Sequence, residues 1–346
     1  MFLRELRSIH TRYSGICYLK PLFSTLKRCE TPRVRQPLAW ILLALAMLVN
    51  GAAFAESTTP SVPLPAYLFP ELIDDGISPM LQKSLYLSSA DMPKPYKDRC
   101  HVQQNLTVSP ARCLYGNLTS KTTIVLFGDS HALSWFPAIE KLAIAKKWRL
   151  LSLTMSSCWP ATIPAWNSVT NVLMTNCEIW RRSALKQIAQ VKPYLTFVTG
   201  SRGFSTIDGA GNLLLGDARL TLWQSGMATT LNAIKKASTN TVLISDTPVS
   251  LFSPPDCLAA FNESIKLCST PVANAIDTNW LGVERDLSQA TNVIWINPTE
   301  WICDSDPCSP VAGDTVIYRD SGHLTASFAV SLEKPLWAEL SSELTK

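Results

Sequence analysis

Residues 123–131 read Thr123-Ile124-Val125-Leu126-Phe127-Gly128-Asp129-Ser130-His131. A β-branched, apolar run that stops at a Gly-Asp-Ser turn is typical of a buried strand. A helical pattern follows, with apolar residues at Trp135, Ile139, Leu142 and Ile144. The sequence therefore predicts a strand–turn–helix unit that holds Ser130 on the tight turn, where a substrate can reach its hydroxyl group.

Strand and helix patterns alternate over the rest of the chain. The predicted strands are Thr122–Phe127, Arg149–Thr154, Tyr194–Thr199, Thr241–Asp246 and Val293–Asn297. The predicted helices are Trp135–Lys147, Glu178–Val191, Leu220–Ser238, Pro271–Ala290 and Thr325–Glu343, the last of them capped by Thr325. This alternation predicts an α/β fold, a three-layer sandwich with a central, mainly parallel, five-stranded sheet. Active sites in such sheets lie beyond the carboxyl ends of the strands, where the predicted turn holds Ser130.

A serine hydroxyl is a weak nucleophile until a base removes its proton, and histidine is the usual base. The four histidines of the chain are His10, His101, His131 and His323. The first lies near the N-terminus, and the second adjoins Cys100. The third is the immediate neighbour of Ser130, and the side chains of adjacent residues usually point in different directions. His323 is therefore the candidate base, and His131 is expected to pack against the site.

A carboxylate is needed to orient the base and to stabilise its protonated form. Asp320 lies three residues before His323 and is the favoured partner. Asp129 is an alternative, although its place in the turn favours a role in shaping the backbone. A nucleophile far upstream and an Asp-x-x-His near the other end together predict acyl transfer through a serine.

Charge is unevenly distributed along the chain. The formal net charge is +4, but residues 1–55 hold eight Lys/Arg against two Glu, which leaves 23 Lys/Arg and 25 Asp/Glu in the remainder. No basic stripe of the kind that binds nucleic acid is present, so no nucleic acid partner is expected. With 47% hydrophobic and 17% charged residues, the composition is that of a globular protein.

Residues 1–55 are predicted to be an export signal or an N-terminal membrane anchor. The apolar run Leu38–Val49 follows basic residues, and Ala53-Phe54-Ala55 is a small-x-small site suited to cleavage before Glu56. The apolar stretch is about 18 residues long, the lower limit for a membrane span, so an uncleaved anchor in the inner membrane is the alternative. In both cases membrane contact is confined to this segment and the body is exported, to a periplasm or the cell exterior. Residues 56–98 are predicted to form a Pro-rich linker or surface arm, and residues 99–346 the catalytic domain.

Ten cysteines are present, two of them within residues 1–55. The other eight allow 105 disulfide connectivities, so the sequence alone leaves the pairing open. Closure of short loops favours the local pairs Cys100–Cys113, Cys158–Cys177, Cys257–Cys268 and Cys303–Cys308. No Cys-x-x-Cys motif occurs and the histidines are scattered, so neither a metal nor another cofactor is expected. Cysteine usage predicts an oxidising compartment.

An ordered series of motifs extends from about Cys100 to the end of the chain. Its blocks are Phe127-Gly128-Asp129-Ser130-His131-Ala132, Trp135-Phe136-Pro137-Ala138, Ser157-Cys158-Trp159-Pro160, Cys177-Glu178-Ile179-Trp180, Asp246-Thr247-Pro248, Pro255-Asp256-Cys257-Leu258, Trp301-Ile302-Cys303 and Tyr318-Arg319-Asp320-Ser321-Gly322-His323-Leu324-Thr325. The series resembles the SGNH (GDSL-like) hydrolase superfamily, whose fold is flavodoxin-like. In particular it resembles the exported SGNH domain fused to acyltransferase-three membrane proteins that O-acylate surface glycans. The resemblance implies Ser130 as nucleophile, His323 as base and Asp320 as its partner.

The resemblance also implies an oxyanion hole formed by the Ser130 backbone N–H and by donors in two middle blocks. The sequence departs from the family in both blocks: the glycine of one is replaced near Ser157, and Gly200-Ser201-Arg202 stands in place of the asparagine of the other. The candidates for oxyanion or substrate contacts are Ser157, Ser201, Arg202 and His131. A backbone N–H at Ser157 needs no glycine, and Arg202 is a possible source of positive charge.

The multi-helix membrane part of the family is not found beside this domain, since the chain has one apolar segment. A separate membrane acyltransferase is therefore a possible acyl donor, and hydrolysis of esters already on a glycan is the alternative. The expected function is that of an exported serine O-acetyltransferase or acetylesterase acting on surface or extracellular polysaccharide through an acyl-serine. A non-catalytic glycan-binding or assembly module with the same fold is the competing hypothesis.

Overall fold

Strands and helices alternate along the computed structural model, which describes residues 77–261 and 264–345. The strands are β1 His101–Val102, β2 Leu114–Gly116, β3 Thr123–Gly128, β4 Arg149–Met155, β5 Trp166–Asn167, β6 Val172–Leu173, β7 Leu195–Thr199, β8 Asn240–Ile244, β9 Ile294–Ile296, β10 Val311–Ala312 and β11 Thr315–Val316. The helices are α1 Pro79–Ser88, α2 Lys94–Lys97, α3 Ser130–Ser134, α4 Phe136–Ala145, α5 Thr175–Val191, α6 Gly216–Lys235, α7 Pro254–Ala260, α8 Val272–Ala275, α9 Thr278–Thr291, α10 Thr299–Ile302, α11 Ala326–Ser331 and α12 Glu333–Leu344. A 3-10 helix covers Ile265–Cys268.

The predictions for the signal or anchor and for most of the Pro-rich linker lie outside the described residues. The described end of that linker, Ile77–Asp98, contains α1 and α2, and Leu81 of α1 is buried. Over the described residues, no helix combines the length and the apolar character needed to cross a membrane.

The central sheet has seven strands in the order β1-β4-β3-β7-β8-β9, with β2 also paired to β4. All five predicted strands are present and mutually parallel, which confirms the α/β fold class. The prediction of five strands was too low by two. The additional strands β1 and β2 have two and three residues, too few for a hydrophobic period to be read, and both pair with the outer edge of β4.

Side chains of β3 alternate between two buried cores, as the period of two along a strand requires. Ile124 and Leu126 belong to the core that includes Phe136 and Leu142 of α4. Val125 and Phe127 face the opposite core, which includes Trp180 of α5. Helices therefore cover both faces of the sheet and form the predicted three layers, so β3 is buried throughout.

Two of the predicted helices are each divided in two. The Asp277 side chain accepts the Trp280 N–H at 3.0 Å and starts α9, which separates it from α8. Near the C-terminus, Thr325 caps α11 as predicted, because its Oγ1 accepts the Phe328 N–H at 3.2 Å. Pro335 has no N–H with which to continue the backbone hydrogen bonds of α11, and the separate helix α12 begins at Glu333.

Among the described residues, four disulfides join Cys100–Cys113, Cys158–Cys177, Cys257–Cys268 and Cys303–Cys308, the pairs that loop closure favours. The second of them matters for the site, since it ties the loop after β4 to α5. That loop follows the strand beside β3 and lies at the carboxyl edge of the sheet.

Candidate active site

The turn after β3 depends on Gly128. Its φ is +153°, and a Cβ there would lie 1.9 Å from the Thr199 carbonyl oxygen of β7, so any larger residue would displace one of the two strands. Asp129 is buried and caps α3, because its Oδ1 accepts the backbone N–H groups of His131 at 2.8 Å and Ala132 at 3.4 Å. Asp129 therefore shapes the turn, and Ser130 begins the helix with a partly exposed side chain.

Ser130 and His323, which are 193 positions apart, meet at this turn. The Ser130 Oγ lies 2.8 Å from His323 Nε2, and His323 Nδ1 lies 2.8 Å from Asp320 Oδ2. A carboxylate can only accept, so the neutral imidazole carries its proton on Nδ1 and faces the serine hydroxyl with a lone pair on Nε2. This is the geometry in which a histidine can take a proton from a serine.

Asp320 is held as a carboxylate by its own loop. Its Oδ1 accepts the backbone N–H groups of Gly322 at 3.0 Å and His323 at 2.8 Å. Burial acts to raise the pKa of Asp320, but the hydrogen bonds from the His323 ring and from these two N–H groups outweigh it and hold the pKa below its usual range. The charged form that orients the histidine is therefore the stable one at neutral pH.

Contacts to neighbouring loops fix the segment that carries His323 on the sheet edge. The Tyr318 hydroxyl donates to the Pro248 carbonyl at 2.7 Å, and the Ser250 N–H donates to the Ser321 carbonyl at 2.9 Å. Both partners lie in the loop after β8. The far C-terminal motif is thus aligned by the same parallel sheet that presents Ser130.

A second histidine–carboxylate pair lies beside the first. His131 Nδ1 is 2.6 Å from Asp246 Oδ1, and the His131 ring centroid is 4.8 Å from that of His323. Burial disfavours the His131 cation, but Asp246, followed by Asp129 and Asp320, raises the pKa of His131 to about 9. His131 is therefore protonated at neutral pH and packs against the candidate base.

Asp246 belongs to the Asp246-Thr247-Pro248 motif, whose sequence alone indicates no role for it. It is buried at the end of β8, where its Oδ1 also accepts the Thr247 N–H at 2.9 Å and its Oδ2 the Arg202 N–H at 2.9 Å. Burial acts to raise the pKa of Asp246, but His131 and then Arg202 lower it. An aspartate at the carboxyl end of a predicted parallel strand was the available signal for this residue.

The candidate oxyanion residues differ in whether their donor groups are free or already hydrogen-bonded. Ser157 is exposed with φ +54°, a left-handed conformation that favours glycine, and its N–H has no hydrogen-bond acceptor among the described residues. The Ser201 N–H instead donates to Asp129 Oδ2 at 2.8 Å. Arg202 Nη2 donates to the Ala275 carbonyl at 2.5 Å, and no hydrogen bond joins Arg202 to Ser130 or His323 in the described part of the chain. The Ser130 N–H likewise has no hydrogen-bond acceptor among the described residues, whereas Asp129 caps the next two N–H groups.

His101 does not take part in this arrangement. It is buried, its Nδ1 lies 3.0 Å from Thr154 Oγ1, and burial lowers its pKa to about 3. Within residues 77–261 and 264–345, no group of three or more His, Cys, Asp or Glu side chains is arranged to hold a metal ion.

A parallel sheet that presents a serine, a histidine and an aspartate in this way defines a domain of the esterase and acyltransferase class. Residues 99–338 match the model of the SGNH domain fused to AT3 domains, and the chain belongs to that family. None of the curated proteins compared with the chain matches its sequence.

Solved structures share the fold. The periplasmic domain of a lipopolysaccharide acetyltransferase from Salmonella ser. Paratyphi A is 15% identical, with a TM-score of 0.54 over 78% of this chain and 98% of that one. An acetylxylan esterase from Geobacillus stearothermophilus is 13% identical, with a TM-score of 0.36 over 65% of this chain and 96% of that one. The first likeness supports the fold at an identity too low to transfer a substrate.

Proposed function

We propose that this chain is an exported serine enzyme that transfers or removes O-acetyl groups of a surface or extracellular polysaccharide. The observation that carries the proposal is the continuous relay from Ser130 Oγ through His323 to Asp320, with both contacts at 2.8 Å. The partly exposed Ser130 at the carboxyl edge of the sheet is open to an ester substrate.

In the first half of the reaction, the Ser130 oxygen attacks the acyl carbonyl carbon while its proton passes to His323 Nε2. The bond between the carbonyl carbon and the leaving oxygen then breaks, and His323 returns the proton to that oxygen. Asp320 stabilises the imidazolium formed in between. The backbone N–H groups of Ser130 and Ser157 are the proposed donors to the oxyanion.

In the second half, an acceptor hydroxyl gives its proton to His323 Nε2 and its oxygen attacks the acyl carbon. The bond between that carbon and Ser130 Oγ then breaks, and His323 returns the proton to the serine oxygen. A sugar hydroxyl as acceptor makes the protein a transferase, and water makes it an esterase. The family is named for its fusion to AT3 domains, which supports a separate membrane acyltransferase as the acyl donor for transfer. Four disulfides and the similarity to a periplasmic domain support export.

A non-catalytic glycan-binding module is the alternative, motivated by the altered oxyanion blocks. Two observations favour catalysis over it. A serine hydroxyl lies within hydrogen-bond distance of an imidazole whose other nitrogen meets a carboxylate. In addition, Ser157 replaces the glycine that the family has in this block, and its backbone N–H still has no acceptor among the described residues, so this donor remains available. A module that only bound glycans would have no need of either feature.

The test is an acyl-enzyme trap. The full chain, its Ser130→Ala variant and a Ser134→Ala control from the same helix are mixed with 4-nitrophenyl acetate, quenched in acid and analysed by peptide mass. We expect one acetyl group on the peptide that contains Ser130, in the unchanged chain and the control only. Addition of sugar acceptors before quenching then measures the partition between water and sugar. Acetylation at another residue removes the assignment of Ser130, and glycan binding without acetylation supports the non-catalytic module.

A further inference from the structure

A groove lies beside the loop that follows β4. Its first part is a cleft of about 320 Å³ between that loop, the β5–β6 hairpin and the residues after β7, and Ser157, Trp166 and Gly203 contribute to its walls. A second cleft of about 390 Å³ shares Gln104, Asn167, Thr170 and Met174 with the first. Because they share these four residues, the two clefts adjoin each other along the hairpin, and the pair is called the groove.

The groove begins at the loops on either side of the Ser130 turn. In the sheet, Gly128 at the end of β3 is in register with Thr154 of β4 and with Thr199 of β7. Ser157 follows the first of these flanking strands and Gly203 follows the second, and both line the groove. The two loops also contact each other, since the Trp159 and Phe204 ring centroids are 5.1 Å apart. A chain lying in the groove would therefore reach the turn from the side of the proposed oxyanion donor Ser157.

The lining of the groove is polar but uncharged. Its two parts are lined by hydroxyl, amide, aromatic and aliphatic residues, with no Asp, Glu, Lys, Arg or His among them. Trp166 is partly exposed, and the indole N–H of the buried Trp159 has no hydrogen-bond acceptor among the described residues. Aromatic faces and neutral hydrogen-bonding groups suit sugar rings, whereas an anionic polymer would lose hydration without meeting a cation.

We infer that this groove binds an uncharged stretch of polysaccharide and so delivers a sugar hydroxyl, or its acetyl ester, to Ser130. The inference rests on the proposed function and specifies its substrate: the ring to be acetylated or deacetylated belongs to a neutral segment that extends along the β5–β6 hairpin. Trp166 is the proposed stacking residue, and Thr170, exposed near the hairpin turn, lies where the segment passes.

The test compares polymers with a small ester in the full chain. The substrates are acetylated glucomannan, which is neutral, acetylated polygalacturonate, which is anionic, and 4-nitrophenyl acetate, which is too small to fill the groove. We expect a lower KM for the neutral polymer. In Trp166→Ala, the kcat/KM on glucomannan divided by that on the small ester falls at least tenfold, and Trp166→Phe, which keeps a ring, recovers most of it. The control Tyr86→Ala removes an aromatic side chain that is 88% exposed on α1 and lines neither cleft, and it leaves the ratio unchanged.

A second variant tests the charge argument without removing a large side chain. Thr170→Lys places a cation in the groove and is expected to lower the KM for polygalacturonate severalfold. Absence of small-ester turnover in the unchanged chain would remove the proposed function itself. With that turnover present, the groove inference is overturned by any of three results: neither polymer acts as a substrate or a competitor, the anionic polymer is preferred, or both Trp166→Ala and Thr170→Lys leave the polymer-to-ester ratios unchanged.

Discussion

His131 donates its Nδ1–H to Asp246 across 2.6 Å, and this bond joins the residue next to Ser130 to the segment just after β8, 115 positions later. The His131 and Asp246 side chains are 12% and 1% exposed, so the ion pair is shielded from solvent. Its imidazolium packs against His323 without a hydrogen bond to it. Two histidines thus lie side by side with different roles, one charged and fixed by Asp246, the other directed at Ser130.

The first prediction concerns the pH dependence of stability. The pKa of His131 is raised from 6.5 to about 9 in the folded protein, so the folded state holds this proton more tightly than the unfolded chain. The stabilisation is fully present below about pH 6.5 and is lost as the pH rises through 9. It amounts to about 3 kcal/mol in the free energy of unfolding. Denaturant unfolding of both chains from pH 6 to pH 10 measures it as the fall, with rising pH, in the stability of the unchanged chain relative to His131→Asn, because other titrating groups contribute equally to both chains.

The double variant His131→Asn/Asp246→Asn is the control for this experiment. His131→Asn alone leaves a buried carboxylate without its partner, which costs more than removal of both charges. We therefore expect the double variant to be more stable than His131→Asn at pH 7, with the same dependence of stability on pH. Equal slopes in the unchanged chain and in His131→Asn would contradict the ion pair.

The second prediction concerns the proposed catalytic residues. Ser130→Ala and His323→Ala are each expected to lower kcat/KM for 4-nitrophenyl acetate by about 10⁴-fold or more, because nucleophile and base act as one unit. Asp320→Asn is expected to cost about 10²–10⁴-fold, since an amide can stabilise the tautomer that turns an N–H toward Ser130. Thermal unfolding checks that each variant is folded, and Ser134→Ala is the matched serine control. A rate for Asp320→Asn equal to that of the unchanged chain would exclude this carboxylate as the partner.

Local sequence was sufficient to predict the turn that carries Ser130, because the apolar run, the glycine at the close strand contact and the helix cap are neighbours in the chain. The parallel topology then accounts for the meeting of Ser130 and His323, since the loops at the carboxyl ends of parallel strands converge. The position of Asp320 three residues before His323 made their contact predictable from spacing alone.

Contacts that depend on the order of the strands in the sheet could not be predicted from local sequence. The pairing of His131 with Asp246 requires that β7 lie between β3 and β8, which no local pattern specifies. The sequence makes Arg202 a candidate source of charge for the oxyanion, but its side chain donates to the Ala275 carbonyl, which lies 73 positions later. Strands β1 and β2 are too short to have a period, and they depend on pairing with β4.

The third prediction separates the backbone of Ser157 from its hydroxyl. Its φ of +54° disfavours any residue with a Cβ, and the proposed role uses only its N–H. Ser157→Gly is therefore expected to retain kcat/KM for 4-nitrophenyl acetate within about threefold, because loss of an oxyanion donor would cost about 10²–10³-fold in kcat. The free energy of unfolding should change by less than about 1 kcal/mol, since relief of the left-handed conformation offsets the added freedom of glycine in the unfolded chain. A loss of a hundredfold or more would assign the function to the hydroxyl instead.

The fourth prediction concerns Glu284, a buried acid of α9 whose Oε2 has no hydrogen-bond partner among the described residues. Burial raises the pKa of Glu284 to about 8, against 4.5 for an ordinary glutamate, although Ser245 and Trp280 partly oppose the shift. Between these values the folded state holds a proton that the unfolded chain has released, so stability falls as the pH rises from 4.5 to 8. Glu284→Gln removes this dependence. Its free energy of unfolding relative to the unchanged chain should therefore rise by about 1.4 kcal/mol per pH unit across that range and stay constant above it. Unfolding of the two chains side by side at pH 5, 6, 7 and 8 measures the difference, and a gap that does not widen with pH would mean that Glu284 is already ionised in the folded protein.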